Sequence, residues 1–188
     1  GGPHGSICRN VFKMNTTSTS AKGAEIDGDS ILVEGNSFWN AAAGGGTAIY
    51  LETSEHIIRC VNNIIEGWDG AGGIGIECRG STTEMHTIVS NRFLDCTKNI
   101  DEAAGNNIWH QDDNINISSG VSPFNDPSND DFTLKDDSDV KGVAFPTYIG
   151  GTQLTDTPNY LDHGAAQRQE AGGGGSSVFL FGALRGGV

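Results

Sequence analysis

One asparagine-centred unit recurs four times in the first half of the chain, and it limits the fold more than any other feature. The units are Ile7-Cys8-Arg9-Asn10-Val11-Phe12, Val33-Glu34-Gly35-Asn36-Ser37-Phe38, Cys60-Val61-Asn62-Asn63-Ile64-Ile65 and Ile88-Val89-Ser90-Asn91-Arg92-Phe93. Their asparagines advance by 26, 27 and 28 residues. Three positions before each asparagine stand Ile7, Val33, Cys60 and Ile88, and two positions after it Phe12, Phe38, Ile65 and Phe93. Two apolar columns at a near-constant period are what a solenoid needs, because equivalent residues then stack about 4.8 Å apart and each coil buries its neighbour's face. The asparagine column has its own logic. A side-chain amide both donates and accepts, so Asn10, Asn36, Asn63 and Asn91 can bond to one another and to turn backbone as a ladder.

Between the units runs a second set of strand-like pieces, Ala24-Glu25-Ile26, Ala48-Ile49-Tyr50-Leu51, Ile74-Gly75-Ile76-Glu77 and Asn99-Ile100-Asp101, so each coil holds at least two strands. Glycine-rich turns such as Gly44-Gly45-Gly46 and Gly70-Ala71-Gly72-Gly73 absorb the drift in period. Proline cannot donate to a sheet ladder, and none occurs from His4 to Ser122. A weaker fifth coil follows, where Asp113, Ile115 and Ile117 alternate with Asp112, Asn114, Asn116 and Ser118. The solenoid is expected to span residues 1–122, a capping segment 123–171, and a Gly-rich linker with an apolar tail 172–188.

The later segment reads Asp131-Phe132-Thr133-Leu134-Lys135, then Ser138, then Tyr160-Leu161-Asp162-His163-Gly164-Ala165. Together with the repeated units it resembles the pectate-lyase-like superfamily of right-handed parallel β-helix proteins, whose bacterial, phage and metagenomic members end in a D-F-x-L…S-P-A…D-I-G-A pattern. Asp139-Val140 stands here in place of the proline-alanine, and His163 in place of the isoleucine. The resemblance covers roughly residues 5–170. It implies an all-β, right-handed parallel β-helix of about four to five coils, with a loop-rich C-terminal cap laid over the last coil.

Eleven Lys and Arg against 24 Asp and Glu give a net charge of −13, which argues against a nucleic-acid partner. No segment approaches the roughly 18–20 apolar residues that cross a bilayer. The four cysteines, Cys8, Cys60, Cys78 and Cys96, form no C-x-x-C pair, so a structural zinc site is poorly supported while disulfides stay open. Cys60, in a column otherwise of Ile and Val, reads as a small buried hydrophobe.

The superfamily's lyases commonly use acidic calcium ligands with an Arg or Lys base, and its hydrolases use clustered aspartates. Arg9, Arg59, Arg79 and Arg92 share no column and read as solvated surface residues. Asp112-Asp113-Asn114 beside His110 is the most hydrolase-like cluster, yet adjacent strand residues point to opposite faces. No catalytic residue is assigned. Calcium could be drawn to Asp27–Asp29, Asn125–Asp131 or Asp136–Asp139, but none completes a calcium-loop consensus, and Asp, Asn and Ser also favour turns by local bonding. No cofactor or metal site is assigned. Trp39 and Trp68 follow the asparagine units, where packing is favoured over sugar stacking. Asn15-Thr16-Thr17 and Asn116-Ile117-Ser118 match a glycosylation pattern that short sequences meet by accident.

Beyond the Gly172–Gly175 linker, Val178, Phe179, Leu180 and Phe181 form an apolar strand in need of a sheet edge. At the other end the first unit begins at Ile7 with little before it to cap a coil, and the chain opens Gly1-Gly2-Pro3, as a processed product or a fragment would. The expectation is a non-catalytic structural subunit of a virion, fibre or cell-surface layer. It would lie outside the cell or on a virion, with further copies of itself or a larger parent assembly as partners. The alternative is a polysaccharide lyase, glycoside hydrolase or carbohydrate-binding module, with polysaccharide as partner.

Overall fold

A bend at each asparagine decides the architecture. The residue before it takes the left-handed conformation, with φ of 57° at Arg9, 60° at Gly35, 58° at Asn62, 55° at Ser90 and 48° at Asp113. Five such residues in register form a corner running the height of the molecule. Each six-residue unit is therefore two strands in two different sheets, and each of the first four windings has three strands where the sequence showed at least two.

A computed structural model describes residues 5–28, 30–42, 44–52, 57–79, 86–102, 108–117, 120–141, 144 and 164, with the side chains of Ile108–Asp112 excepted. The first winding is β1 (Gly5–Cys8), β2 (Val11–Met14) and β3 (Lys22–Ile26), and the second is β4 (Ile31–Glu34), β5 (Ser37–Asn40) and β6 (Thr47–Leu51). The third is β7 (Arg59–Val61), β8 (Ile64–Trp68) and β9 (Ile74–Cys78), and the fourth β10 (His86–Val89), β11 (Arg92–Cys96) and β12 (Lys98–Glu102). β13 (Ile108–Asp112) and β14 (Ile115–Asn116) begin a fifth.

These strands pair in parallel into three sheets, β1-β4-β7-β10-β13, β2-β5-β8-β11-β14 and β3-β6-β9-β12. The chain is thus an all-β parallel solenoid. Four complete windings stack across three interfaces, about three turns, and a partial fifth extends two of the sheets, a count slightly different from the four to five coils read from the repeat. In register, Ile88 is followed by Gln111 and Phe93 by Asn116, so both apolar columns turn polar at the fifth winding.

Inside, Val33, Cys60, Ile88, Phe38, Ile65 and Phe93 are fully buried, while Ile7 and Phe12 of the first winding are partly buried against them. Phe12 and Phe38 stack with centroids 4.4 Å apart and planes 2° from parallel. The rings fit because the facing positions are small. A Cβ on Gly75 would lie 2.6 Å from the Phe93 ring, and one on Gly23 would lie 3.2 Å from that of Phe38. All four cysteines are free thiols. Burial pushes Cys96 up to about 12 and Cys60 well above its ordinary value, so neither is a ready nucleophile.

Part of the C-terminal segment is described, and it forms an antiparallel hairpin, β15 (Phe124–Asp126) and β16 (Asp131–Leu134), joined by a 3₁₀ turn at Pro127–Asn129. This hairpin lies along the flank of the second sheet. Phe124, Phe132, Leu134 and Val140 bury Ile64, Leu94 and Ile117 in a second core, with Trp39 edge-on to Phe132 at 6.1 Å. Lys13 in the first winding bonds to the Ser128 carbonyl at 2.8 Å and the Asp130 carboxylate at 2.6 Å. The physical reason is that outward positions of this sheet at Trp39, Ile64 and Leu94 are apolar and need cover. Within the expected cap, residues 142–143, 145–163 and 165–171 fall outside the described set, as do residues 172–188 with Val178, Phe179, Leu180 and Phe181.

Candidate functional site

Two features of the solenoid carry chemistry: a polar file down its corner and an open winding at one end. In the file, the Asn36 carbonyl oxygen accepts from the Asn10 backbone N–H at 2.9 Å and its side-chain amide at 3.3 Å. Asn63 accepts the same pair from Asn36, both at 3.0 Å, and Asn91 accepts from Asn63 at 3.1 and 2.9 Å. The second amide hydrogen reaches back one winding, from Asn36 to Ile7 O, Asn63 to Val33 O and Asn91 to Cys60 O, at 2.8–3.0 Å. Asn36, Asn63 and Asn91 are buried, so each bond replaces one that water cannot supply.

A fifth member escaped the repeat. Asn114 accepts from Asn91 at 3.0 and 2.9 Å and donates to Ile88 O at 2.6 Å. It stands 23 residues after Asn91 and is followed two positions on by Asn116. A search for asparagine followed by a large apolar residue therefore passes over it.

At the other end, β1, β2 and β3 are all terminal strands of their sheets, and among the described residues nothing pairs with their outer edges. Val11 in this winding is 44% exposed. The Asn10 amide bonds to Cys8 O at 3.1 Å, the same two-residue step back that the Asn91 amide makes to Val89 O at 3.2 Å.

The candidate chemical groups are dispersed. Arg59 and Arg79 are exposed and Arg9 is half-buried, but Arg92 corrects the expectation of a solvated arginine. It is 6% exposed, and its guanidinium bonds to Asp113 O and ion-pairs with the Asp113 carboxylate at 3.1 Å. Asp113 also accepts from the Ser90 hydroxyl at 2.8 Å, so this aspartate of the hydrolase-like cluster holds the corner of the fifth winding. His110 and Asp112 lie on β13, whose side chains fall outside the described set. Asp126 caps the 3₁₀ turn through Asn129 and Ser128, and Asp131 accepts from Thr133, so two acids of the oxygen-rich 125–131 loop have local partners. Asp29 falls outside the described set, and among the described residues no three His, Cys, Asp or Glu side chains gather as a metal site.

On the third sheet Glu25, Tyr50, Glu77 and Asp101 share a file. Cations answer them: Lys22 sits 3.5 Å from the Tyr50 ring centroid and pairs with Glu25, Arg79 with Glu77, and Lys98 with Asp101. Trp68 is fully buried in the core. A groove of about 300 Å³ on the first sheet, lined by Ser30, Ile31, Leu32, Ile57 and Arg59, contains a cation and, among the described residues, no acid.

Glu34 stands apart. It follows Cys8 and precedes Val61 and Val89 in register, is 6% exposed, and its Oε2 has no hydrogen-bond partner among the described residues. Burial among apolar neighbours pushes its carboxyl up to about 7, with the Arg9 charge opposing only part of the rise. The folded state therefore holds this proton more tightly than the unfolded chain, whose value is near 4.5. The resulting stabilisation is full below about 4.5 and is lost as pH rises through about 7. Melting temperatures measured from pH 4 to 8 should show a decline across that window, to which buried Glu66 adds and which Glu34→Gln reduces; identical profiles for the two proteins would refute the assignment.

No family model matches this chain, and comparison with curated proteins and solved structures likewise returns no match.

Proposed function

We propose that this chain is a non-catalytic structural β-helix subunit. In this reading it assembles into a virion, fibre or cell-surface layer through its open N-terminal winding and its C-terminal tail, and is a divergent member of the pectate-lyase-like superfamily. The observation that carries the reading is the simultaneous end of all three sheets at one winding. Three unpaired parallel edges around one apolar cross-section make a surface that natural proteins either cover or use for association. The carbohydrate-active reading is less well supported, because Arg92 and Asp113 are bonded to each other in the corner instead of facing a cleft.

Sedimentation velocity and electron microscopy across a concentration series test the proposal, alongside assays for unsaturated or reducing sugar ends on acidic polysaccharides. Ordered assemblies that grow with concentration, without sugar release, are expected. A monodisperse monomer that liberates sugar ends would overturn the reading. Removing residues 172–188 should weaken assembly, and unchanged assembly would eliminate the tail from the contact.

A further inference from the structure

Arg59 is an unanswered cation in a chain dominated by acids. Lys13, Lys22, Arg79, Arg92 and Lys98 each hold a carboxylate at 2.5–3.1 Å. Arg59 is exposed, and among the described residues it has no hydrogen bond or ion pair. Glu34 does not supply one. In register Arg59 stands between Leu32 and Thr87, whereas Glu34 stands between Cys8 and Val61, on a separate file of the same sheet. The cation that opposes the burial of Glu34 is Arg9. In a protein with a net charge of −13, such a guanidinium is a place where an anion can settle without displacing a neighbour.

The surroundings of Arg59 are concave and apolar. It lines the groove of about 300 Å³ together with Ser30, Ile31, Leu32 and Ile57. Val33 and Cys60 are fully buried in the core, so strand alternation turns Leu32 and Arg59 outward. Ile57 is 50% exposed beside the fully buried Ile58, and Ser30, with φ of 52°, turns the chain into β4. A dry cavity of about 150 Å³ holds a benzene molecule. This groove therefore has room for an aliphatic chain of several carbons with a charged group at its end. Among the described residues no aromatic ring lines it for a sugar to stack on.

We propose that this groove binds a small aliphatic carboxylate, with the carboxylate on the Arg59 guanidinium and the chain over Ile31, Leu32 and Ile57. The planar guanidinium fork matches the two oxygens of a carboxylate, and the charge-assisted pair is stronger than a bond to a neutral acceptor. A monoanion suits the site better than a phosphate dianion, because the acid excess of the chain repels the second charge. An aliphatic acid suits it better than a sugar acid, whose hydroxyls would lie unpaired against three apolar side chains. Leu32 and Arg59 belong to the second and third windings, so the site goes beyond the assembly reading and stands without it.

Proton–nitrogen NMR spectra of the full chain, titrated with hexanoate, 1-hexanol and glucuronate, test the site. Hexanoate should shift the amide signals of residues 30–32 and 57–59 along a saturable curve, with a dissociation constant on the order of 1 mM. 1-Hexanol keeps the chain and glucuronate keeps the charge, and each should bind at least about tenfold more weakly. Arg59→Gln should lower hexanoate affinity about tenfold and leave that of 1-hexanol unchanged. The variant should melt with the wild type, since Arg59 has no bond to lose among the described residues. Ile57→Ser should weaken hexanoate and 1-hexanol alike. Hexanoate shifts that Arg59→Gln leaves untouched, or that never saturate, would overturn the proposal. So would 1-hexanol or glucuronate binding as tightly as hexanoate.

Discussion

Asn63→Ala should cost this protein about 3–5 kcal/mol, far more than the same truncation at Asn10. Asn63 is fully buried and stands at the middle of the file. Its oxygen accepts the Asn36 backbone N–H and side-chain amide, and its own amide donates to Asn91 and Val33 O. Truncation orphans the buried Asn36 N–H and one of the Asn36 amide hydrogens, each at about 1–3 kcal/mol, and leaves a small polar void. Asn10 is exposed and only donates within the file, so Asn10→Ala strands no buried group and should cost under about 1 kcal/mol. Denaturant midpoints measure the difference. Because windings contact only their neighbours, hydrogen exchange in Asn63→Ala should rise on both sides of the third winding. Equal losses at the two positions would mean that the file does not hold the windings together.

The fold was legible because a solenoid repeats its own packing. Asn10, Asn36, Asn63 and Asn91 each sit beside an apolar residue at the same offset, and stacking is the simplest use for such columns. What the period could not show was the corner. Arg9 and Ser90 do not advertise a left-handed backbone, and Gly35, Asn62 and Asp113, which by type permit one, equally suit an ordinary turn, so a unit bent across two sheets read as one strand. Asn114 was lost for a related reason: its neighbours turn polar where the core ends, and the motif that identifies its predecessors fails there. The flank was readable in principle. Trp39, Ile64 and Leu94 are apolar residues on outward files of the second sheet, and these call for the Phe124–Leu134 hairpin, while Glu66 between Trp39 and Leu94 is bonded by Ser122. Those files became visible only once the unit was divided at its bend. The open winding is an outcome of pairing, and pairing is a property of the whole stack.

Phe38→Ala is expected to destabilise the protein by about 3–5 kcal/mol, the usual loss for a large aromatic removed from a closed core. Phe38 is wholly buried, stacks on Phe12 at 4.4 Å and pairs in register with Ile65 on its other side. Neighbours cannot easily refill the space, because the Gly23 side of the core approaches through backbone, and backbone in a paired sheet does not collapse. Phe12 has the same ring in the same column but only one neighbouring winding, so Phe12→Ala should cost the isolated subunit distinctly less. The order should narrow under conditions where subunits stack, since a second copy would cover the exposed side of Phe12. Chemical denaturation of the dispersed subunit, repeated at concentrations that support assembly, reads both quantities. A Phe12→Ala loss as large as that of Phe38→Ala in the dispersed subunit would show that the first winding is already covered, and the open edge would no longer be available to a partner.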